Sequence, residues 1–409
     1  MTLDVDIAVI GAGPAGSVAA TMLADRGLSV LVLEGAQFPR FSIGESLLPQ
    51  VTQCLQTAGL LDRVSEFGFQ YKDGAFFVCG DQREIISFQQ KSASGPFHAW
   101  EVKRADFDYI LAREAEARGA DIRYRTRVLT WDQQDGITTL GCRTDDQTNG
   151  EEFTVSCRFL VDASGFGRVM SRLAGLERPS DLPPRRAVFR HVRHRIASSE
   201  FDPDKITIAQ SRMHLPYWFW FIPFSDGTAS LGLVADADAK TEGDPDSILS
   251  RHLATVPLLR DWLIDAEPLT DTRTVTGYSC NVTSLFGHRF VLLGNAAEFV
   301  DPIFSSGVSI ACRSALLAAP LIERELNGGS VDWVTEYERP MRSGVRVFRT
   351  FVQAWYEGTL PQLIYTKFKD KRYNSYICSI LAGYVWDDSN PFTRSSVENL
   401  RTLAKIAGS

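Results

Sequence analysis

Apolar and polar positions along the chain fall into a few sharply patterned stretches. Val5 to Ile10 is apolar apart from Asp6 and predicts a buried strand. It runs into Gly11-Ala12-Gly13-Pro14-Ala15-Gly16 and then into Ser17-Val18-Ala19-Ala20-Thr21-Met22-Leu23, which predicts a helix. Ser29 to Leu33 predicts a second strand, ending at Glu34. Two more apolar strands, Phe159 to Val161 and Phe290 to Leu293, lead into Asp162-Ala163-Ser164-Gly165 and Gly294-Asn295-Ala296-Ala297. Val188 to His194 also reads as a strand, so His191 and His194, three apart, point to opposite faces and make no metal site. Toward the C-terminus, Phe348, Phe351, Trp355 and Tyr356 fall at helical spacing, as core or as the lid of a pocket.

The densest pattern is Tyr217-Trp218-Phe219-Trp220-Phe221-Ile222-Pro223, with two of the chain's eight tryptophans. In an extended strand Trp218, Trp220 and Ile222 share one face, and Tyr217, Phe219 and Phe221 share the other, so both faces need cover. Two indoles spaced by two form a rigid wall whose N–H groups each require a partner. Pro223 cannot donate to a ladder and stops the strand.

The first strand, glycine turn and helix have the order of a dinucleotide-binding fingerprint. Gly11 permits the tight turn, Gly13 lets the backbone approach a pyrophosphate, and Gly16 lets helix and strand pack closely, with Ala15 in the same turn. Glu34, 18 residues after Gly16, stands where the fingerprint places an acid for a ribose hydroxyl pair. The fingerprint alone does not separate FAD from NAD.

Composition narrows the class. With 409 residues, 44% hydrophobic and 23% charged, the chain is long enough for two to three domains and a sizeable core. A net charge of −7 argues against a nucleic-acid partner or an anionic membrane surface, and Arg185-Arg186 reads as a solvated face. Seven dispersed cysteines without a Cys-x-x-Cys spacing suit a reducing cytoplasm. No signal peptide precedes Asp4, and no uncharged apolar run approaches the roughly 20 residues of a spanning helix, so a soluble protein is expected.

Later segments decide the cofactor. Arg104 followed by Asp106-Phe107-Asp108 resembles the Arg-x-x-Phe-Asp segment of FAD-dependent aromatic hydroxylases. Phe159 to Gly165 resembles their strand with an Asp-Gly element. Phe290 to Ala297, followed by Asp301-Pro302, resembles the element that brings a polar residue to the flavin ribityl chain, with Asn295 where Asp is usual. Asn keeps an acceptor and gains donors while one negative charge is lost. The cofactor implied is FAD, with Ser46, Arg104, Val128, Asn295, Asp301, Gly307 and Val308 joining the glycine turn and Glu34 as its contacts.

Within that superfamily, Trp218-Phe219-Trp220-Phe221-Ile222-Pro223 matches the Trp-x-Trp-x-Ile-Pro motif of flavin-dependent halogenases, while related isoprenoid-chain reductases carry a looser Tyr-x-Trp-x-Phe-Pro. The resemblance implies that Trp218 and Trp220 stand between flavin and substrate, keeping the substrate from the flavin hydroperoxide. It also singles out Lys72, which follows Gly44-Glu45-Ser46 and precedes a strand start at Gly74-Ala75-Phe76-Phe77. From the residues alone Lys72 is a surface lysine paired with Asp73; in the family a lysine here guides hypohalous acid to the substrate. Burial can lower a lysine's pKa toward the working range, whereas arginine stays protonated.

Asp301 to Ser309 reads as a turn into a helix beginning before Ile310-Ala311. Its N-terminus suits an anion, or a plain cap by Ser305 or Ser306. The resemblance implies that the Ser306 and Gly307 amides hold chloride or bromide. Tryptophan halogenases usually carry Glu where Phe304 stands, which favours the phenol or pyrrole branch. His98 and Trp100 join Phe304 as candidate substrate-pocket residues.

The fold class implied is α/β: a Rossmann-like FAD domain from residues 1–75, 101–180 and 275–330, an inserted mainly antiparallel substrate sheet from 76–100 and 181–274, and a helical region from 331–409. Leu182-Pro183-Pro184 punctuates the second passage into the sheet. The expected activity is halogenation, by FADH2 from a separate reductase, of an electron-rich aromatic that is free or carrier-bound. An FAD monooxygenase, an isoprenoid-type reductase and a flavin-binding protein without turnover are the alternatives.

Overall fold

The computed structural model describes residues 2–145, 150–212, 217–237, 243–366 and 370–408. Two eight-stranded sheets organise it. In the first, Thr2–Ile10 lies between Val30–Leu33 and Glu152–Asp162, parallel to both, and Phe290–Leu292 continues the parallel set beyond Glu152–Asp162. All four residues of Val30–Leu33 are buried, as a strand covered on both faces requires. Helices Pro14–Ala24 and Ser306–Leu326 pack against each other, and Pro14–Ala24 also packs against Arg104–Ala117.

The first strand begins at Thr2 rather than Val5, because Thr2 and Asp4 pair with Thr154 and Ser156 at the partly exposed rim, where apolar pattern gives no signal. The first helix begins at Pro14, whose fixed φ suits the opening turn. Gly11 has φ +93°, and a Cβ there would lie 2.7 Å from the Ala163 carbonyl oxygen. At Gly16 a Cβ would lie 1.9 Å from the Gly11 carbonyl oxygen, so this glycine sets the close helix-to-strand approach.

The second sheet runs Glu267–Pro268, Arg185–Arg193, Thr228–Asp236, Tyr217–Pro223, Lys205–Gln210, Gly74–Cys79, Gln82–Ser87, with Arg273–Thr276 also on Arg185–Arg193. It is antiparallel except where Lys205–Gln210 pairs with Gly74–Cys79. The aromatic strand occupies its middle and ends at Pro223. Phe219 and Phe221 face a core with Ile248, Leu259 and Trp262, from helices Pro245–Leu253 and Pro257–Trp262. Trp218, Trp220 and Ile222 face inward. Opposite Trp220 stands Gly232, where a Cβ would fall 2.0 Å from the indole, so this glycine makes room for the ring. His191 and His194 do diverge: His191 lies beside Phe41 and Phe224, His194 beside Phe201 and Phe221.

Helices Arg339–Tyr356, Thr359–Tyr365, Lys371–Leu381, Pro391–Arg394 and Ser396–Gly408 follow. Phe348, Phe351 and Trp355 are core residues. Ser306–Leu326 is long and apolar enough to cross a membrane by length and composition, but 67% of its apolar 18-residue window is buried in the fold and Arg313 interrupts the helix, so it is a core helix. Arg185 corrects the solvated-face expectation: it is 8% exposed, pairs with Asp236, and lays its guanidinium 3.8 Å from the centre of the Tyr356 ring. All seven cysteines are unpaired and buried.

Candidate active site

The parallel strands deliver Gly11, Glu34, Ser164 and Leu293 to the wall of one cleft of about 390 Å³. Ligands of open α/β sheets bind at such strand ends. Gly13 and Ala15 line it from the helix start, and Trp218, Trp220 and Ile222 form the wall contributed by the second sheet. Each indole N–H is satisfied, Trp218 Nε1 donating to Tyr356 Oη at 3.0 Å and Trp220 Nε1 to Ser230 Oγ at 3.1 Å.

Glu34 is buried, and its two carboxylate oxygens accept from the Ala12 and Ala36 amides at 2.8 and 2.9 Å. It therefore braces the glycine loop while standing on the cleft wall. Arg104 also lines the cleft, but its guanidinium is engaged within the protein. Nε and Nη2 donate to Asp108 at 2.7 and 2.9 Å, and Nη1 donates to the Ile43 carbonyl at 2.7 Å. Arg104 thus fixes the loop that carries Glu45 and Ser46.

Asn295, Ser306, Gly307 and Val308 close the cleft. Asn295 Oδ1 and Ser306 Oγ are buried without a hydrogen-bond partner among the described residues. Buried polar atoms of this kind require a partner, and a ribityl chain or a halide beside it would supply one. Together with a glycine loop left open at Gly13, where an added Cβ would meet only the Arg40 guanidinium at 3.6 Å, these residues fit FAD. Ser305 takes a left-handed conformation with φ 55°, and no side chain caps the helix Ser306–Leu326. A plain cap by Ser305 or Ser306 is therefore not what the turn is for. The first-turn amides carry the positive helix end at the cleft wall.

Three expected cofactor contacts stand apart from that wall. Gly16 acts within the fold, through helix packing. Val128 is buried in strand Thr126–Gln134 and packs in the core. Asp301, 2% exposed, accepts from the Ile303 amide at 3.0 Å and from the Tyr356 hydroxyl at 3.1 Å, so it shapes the turn ahead of Ser305. Burial pushes the Asp301 carboxyl up to about 7 against those two hydrogen bonds.

A second chamber, of about 20 Å³, lies around Lys72 and shares Ile206, Ile208 and Ser305 with the cleft. Phe304, Phe88 and Leu381 are among its other lining residues. Lys72 sits on the short strand Gln70–Lys72, paired with Ala99–Glu101. Lys72 opposes Ala99 and Gln70 opposes Glu101, so Lys72 and Glu101 share a face and Tyr71 and Trp100 share the other. That register corrects two expectations. Trp100 is buried on the far face and His98 stacks on Tyr71 at 5.3 Å, so neither lines the chamber.

The surface reading of Lys72 also fails. The side chain is 1% exposed, with Nζ donating to Ser46 Oγ at 2.6 Å and to the Leu47 carbonyl at 2.8 Å. Asp73 pairs instead with Lys205, at 2.5 Å. The nearest counter-charge to Lys72 is Glu101, at 3.9 Å and 1% exposed. Burial pushes the Lys72 amine down, with Glu101 opposing, and pushes Glu101 up to about 7, with Lys72 opposing. Both shifts move the pair toward its uncharged forms, which for Lys72 means a more available amine. Since Ser46 lines the cleft and binds Lys72, one hydroxyl joins the two cavities.

Glu101 and Tyr356 are functional candidates that the sequence pattern did not mark, and Ser305 was marked only as a helix cap. Tyr356 was visible only as part of a helical aromatic stripe, and nothing in the spacing of Glu101 separates it from a surface acid. No group of three or more potential metal ligands occurs among the described residues.

The FAD binding domain family matches residues 4–344. The chain is 32% identical over 342 residues to a 1H-pyrrole-2-carbonyl-(peptidyl-carrier protein) brominase of Pseudoalteromonas luteoviolacea, covering 81% of this chain and 80% of that one. It is also 32% identical over 367 residues to a tryptophan 2-halogenase of Chondromyces crocatus, covering 86% and 67%. A flavoprotein/dehydrogenase structure from Cytophaga hutchinsonii superposes with TM-score 0.94 at 38% identity, over 99% of each chain. FAD is the cofactor on which the matching family and the cleft agree. Equal identity to a pyrrole and a tryptophan enzyme leaves the substrate branch to the chain's own residues.

Proposed function

Because the chain belongs to the flavin-dependent halogenase family, we propose that it halogenates an electron-rich aromatic of phenol or pyrrole type, free or tethered to a carrier protein, using FADH2 from a separate reductase in the cytoplasm. The observation that carries this reading is the buried Lys72, bonded through Ser46 to the cleft wall. Reduced flavin with oxygen supplies the oxidising equivalent that converts halide to hypohalous acid. The open amides of Ser306 and Gly307 hold the halide at the helix end. Trp218 and Trp220 bar the ring from the cleft, and the electrophile crosses toward Lys72 beside Ser305, Ile206 and Ile208, which line both cavities.

At Lys72 the amine receives or hydrogen-bonds the electrophile, while Glu101 takes up or returns the ammonium proton. The chamber as it stands has room for about one water-sized molecule, whereas a benzene-sized guest occupies a cavity of roughly 150 Å³. Binding of the ring therefore involves displacement of Phe88 or Leu381. Phe304, apolar and packed on Trp355 at 6.3 Å, offers no carboxylate there, which suits a ring activated by its own oxygen or nitrogen.

The second reading is flavin-dependent oxidation or reduction without halide, favoured by the 38% identity to the flavoprotein/dehydrogenase. Protein with FAD, reductase, NADH, bromide and a panel of free and carrier-bound phenols and pyrroles separates the two by product mass. Brominated product supports the first reading, and product indifferent to bromide supports the second.

A further inference from the structure

The two indoles of the cleft wall are anchored differently. Trp220 donates to Ser230 on the neighbouring strand of its own sheet, whereas Trp218 reaches out of the sheet to Tyr356, the last residue of helix Arg339–Tyr356. The Tyr356 hydroxyl accepts from Trp218 Nε1 at 3.0 Å and donates to Asp301 Oδ2 at 3.1 Å. The other oxygen of Asp301 holds the Ile303 amide, in the short turn Pro302–Phe304 that precedes the left-handed Ser305 and the open helix end at Ser306. One hydroxyl thus joins three segments: the indole wall, the turn before the helix, and the C-terminal helices. The Tyr356 ring is held independently by the Arg185 guanidinium, 3.8 Å from its centre.

We propose that Tyr356 is a positioning residue whose hydroxyl pins the Trp218 indole to the Asp301 turn, holding the cleft wall and the halide loop in fixed relation. The inference rests on reading Ser306 and Gly307 as the halide site. Without the hydroxyl, a buried indole N–H and a buried carboxyl each lose a partner, and both segments gain freedom to shift. The wall then leaks and the loop loosens.

Tyr356→Phe keeps the ring and its contact with Arg185 and removes only the hydroxyl. With FAD, a flavin reductase, NADH, bromide and phenol as the probe acceptor, the variant should divert reducing equivalents from bromophenol to hydrogen peroxide. Its KM for bromide should rise about three- to tenfold, as loss of a buried hydrogen bond allows, with FAD affinity and melting temperature as controls. Trp218→Phe removes the donor from the other side, and the double variant should be no worse than the poorer single one. In protein without cofactor, the Trp218 emission, taken as the difference from Trp218→Phe, should shift in Tyr356→Phe. Unchanged coupling, bromide KM and emission in Tyr356→Phe, or simple additivity in the double variant, would overturn the proposal. Should the wild type brominate nothing, the halide reading fails, and the emission comparison alone still decides whether the hydroxyl pins Trp218.

Discussion

The cleft and the Lys72 chamber are neighbours built on opposite plans. The cleft is about 390 Å³, shaped by backbone: strand ends, a glycine turn and an uncapped helix end. The chamber is about 20 Å³, closed by apolar side chains around one buried lysine, with the buried Glu101 3.9 Å from its amine. A cofactor shared by many enzymes is held by geometry that tolerates exchange of most side chains, whereas the chemistry of one reaction rests on a few side chains brought from distant segments. Substitutions should therefore separate the two: backbone-shaping changes abolish cofactor binding, and chamber changes leave it intact.

The largest expected effect is at Lys72. Lys72→Ala should cut halogenated product by about 10²- to 10⁴-fold, the range for loss of a positioned proton-transfer group, while FAD titration stays near wild type. The reverse dissociation is expected at Gly16. A Cβ there would meet the Gly11 carbonyl oxygen at 1.9 Å, so Gly16→Ala should displace the turn and lose FAD affinity, with about 1–3 kcal/mol of stability lost in denaturant titrations. If Gly16→Ala bound FAD normally, the backbone account of the cleft would be wrong.

Glu101→Gln sharpens the chamber side. The Glu101 charge opposes the downward shift of the Lys72 amine, so its replacement should move the rising limb of the pH–activity profile to lower pH. Stability gives an independent reading. Glu101 is raised from 4.5 to about 7, so between those values the folded state keeps a proton that the unfolded state releases. Wild-type stability should fall as pH rises through that window, by up to about 3 kcal/mol, and Glu101→Gln should flatten that slope. Lys72, lowered by burial, acts in the opposite sense on the alkaline side.

Smaller effects follow at the boundary. Gly232→Ala would set a Cβ 2.0 Å from the Trp220 indole and should move that ring, weakening product yield more than FAD affinity. Leu381→Ala opens the chamber wall and should raise turnover of bulkier phenols relative to small ones, by about a few-fold in competition assays read by mass spectrometry.

Legibility in the sequence follows the same division. Gly11, Gly16 and Glu34 could be read from spacing because a tight turn, a close packing and a strand-end acid each demand a residue type at a fixed place. The aromatic strand was legible down to Pro223, since alternation assigns its two faces without knowledge of neighbours. Lys72 was not: pattern made it a surface residue, and only a family resemblance marked it. Its burial depends on the register with Ala99–Glu101, which also turned Trp100 and His98 away. Glu101, Tyr356 and the buried Arg185 escaped for the same reason, because each acts through a contact made across the fold rather than along the chain. Val128 is a family position whose side chain here packs in the core.

In the proposed reaction the cleft supplies an oxidised halogen and Lys72 delivers it. The most direct measurement compares wild type with Lys72→Ala, each loaded with FAD and given a flavin reductase, NADH, bromide and the phenol and pyrrole panel. Brominated product is expected from the wild type, and about 10²- to 10⁴-fold less from Lys72→Ala, with FAD binding and NADH consumption preserved. Hydroxylated product from both proteins, unchanged when bromide is omitted, would contradict it.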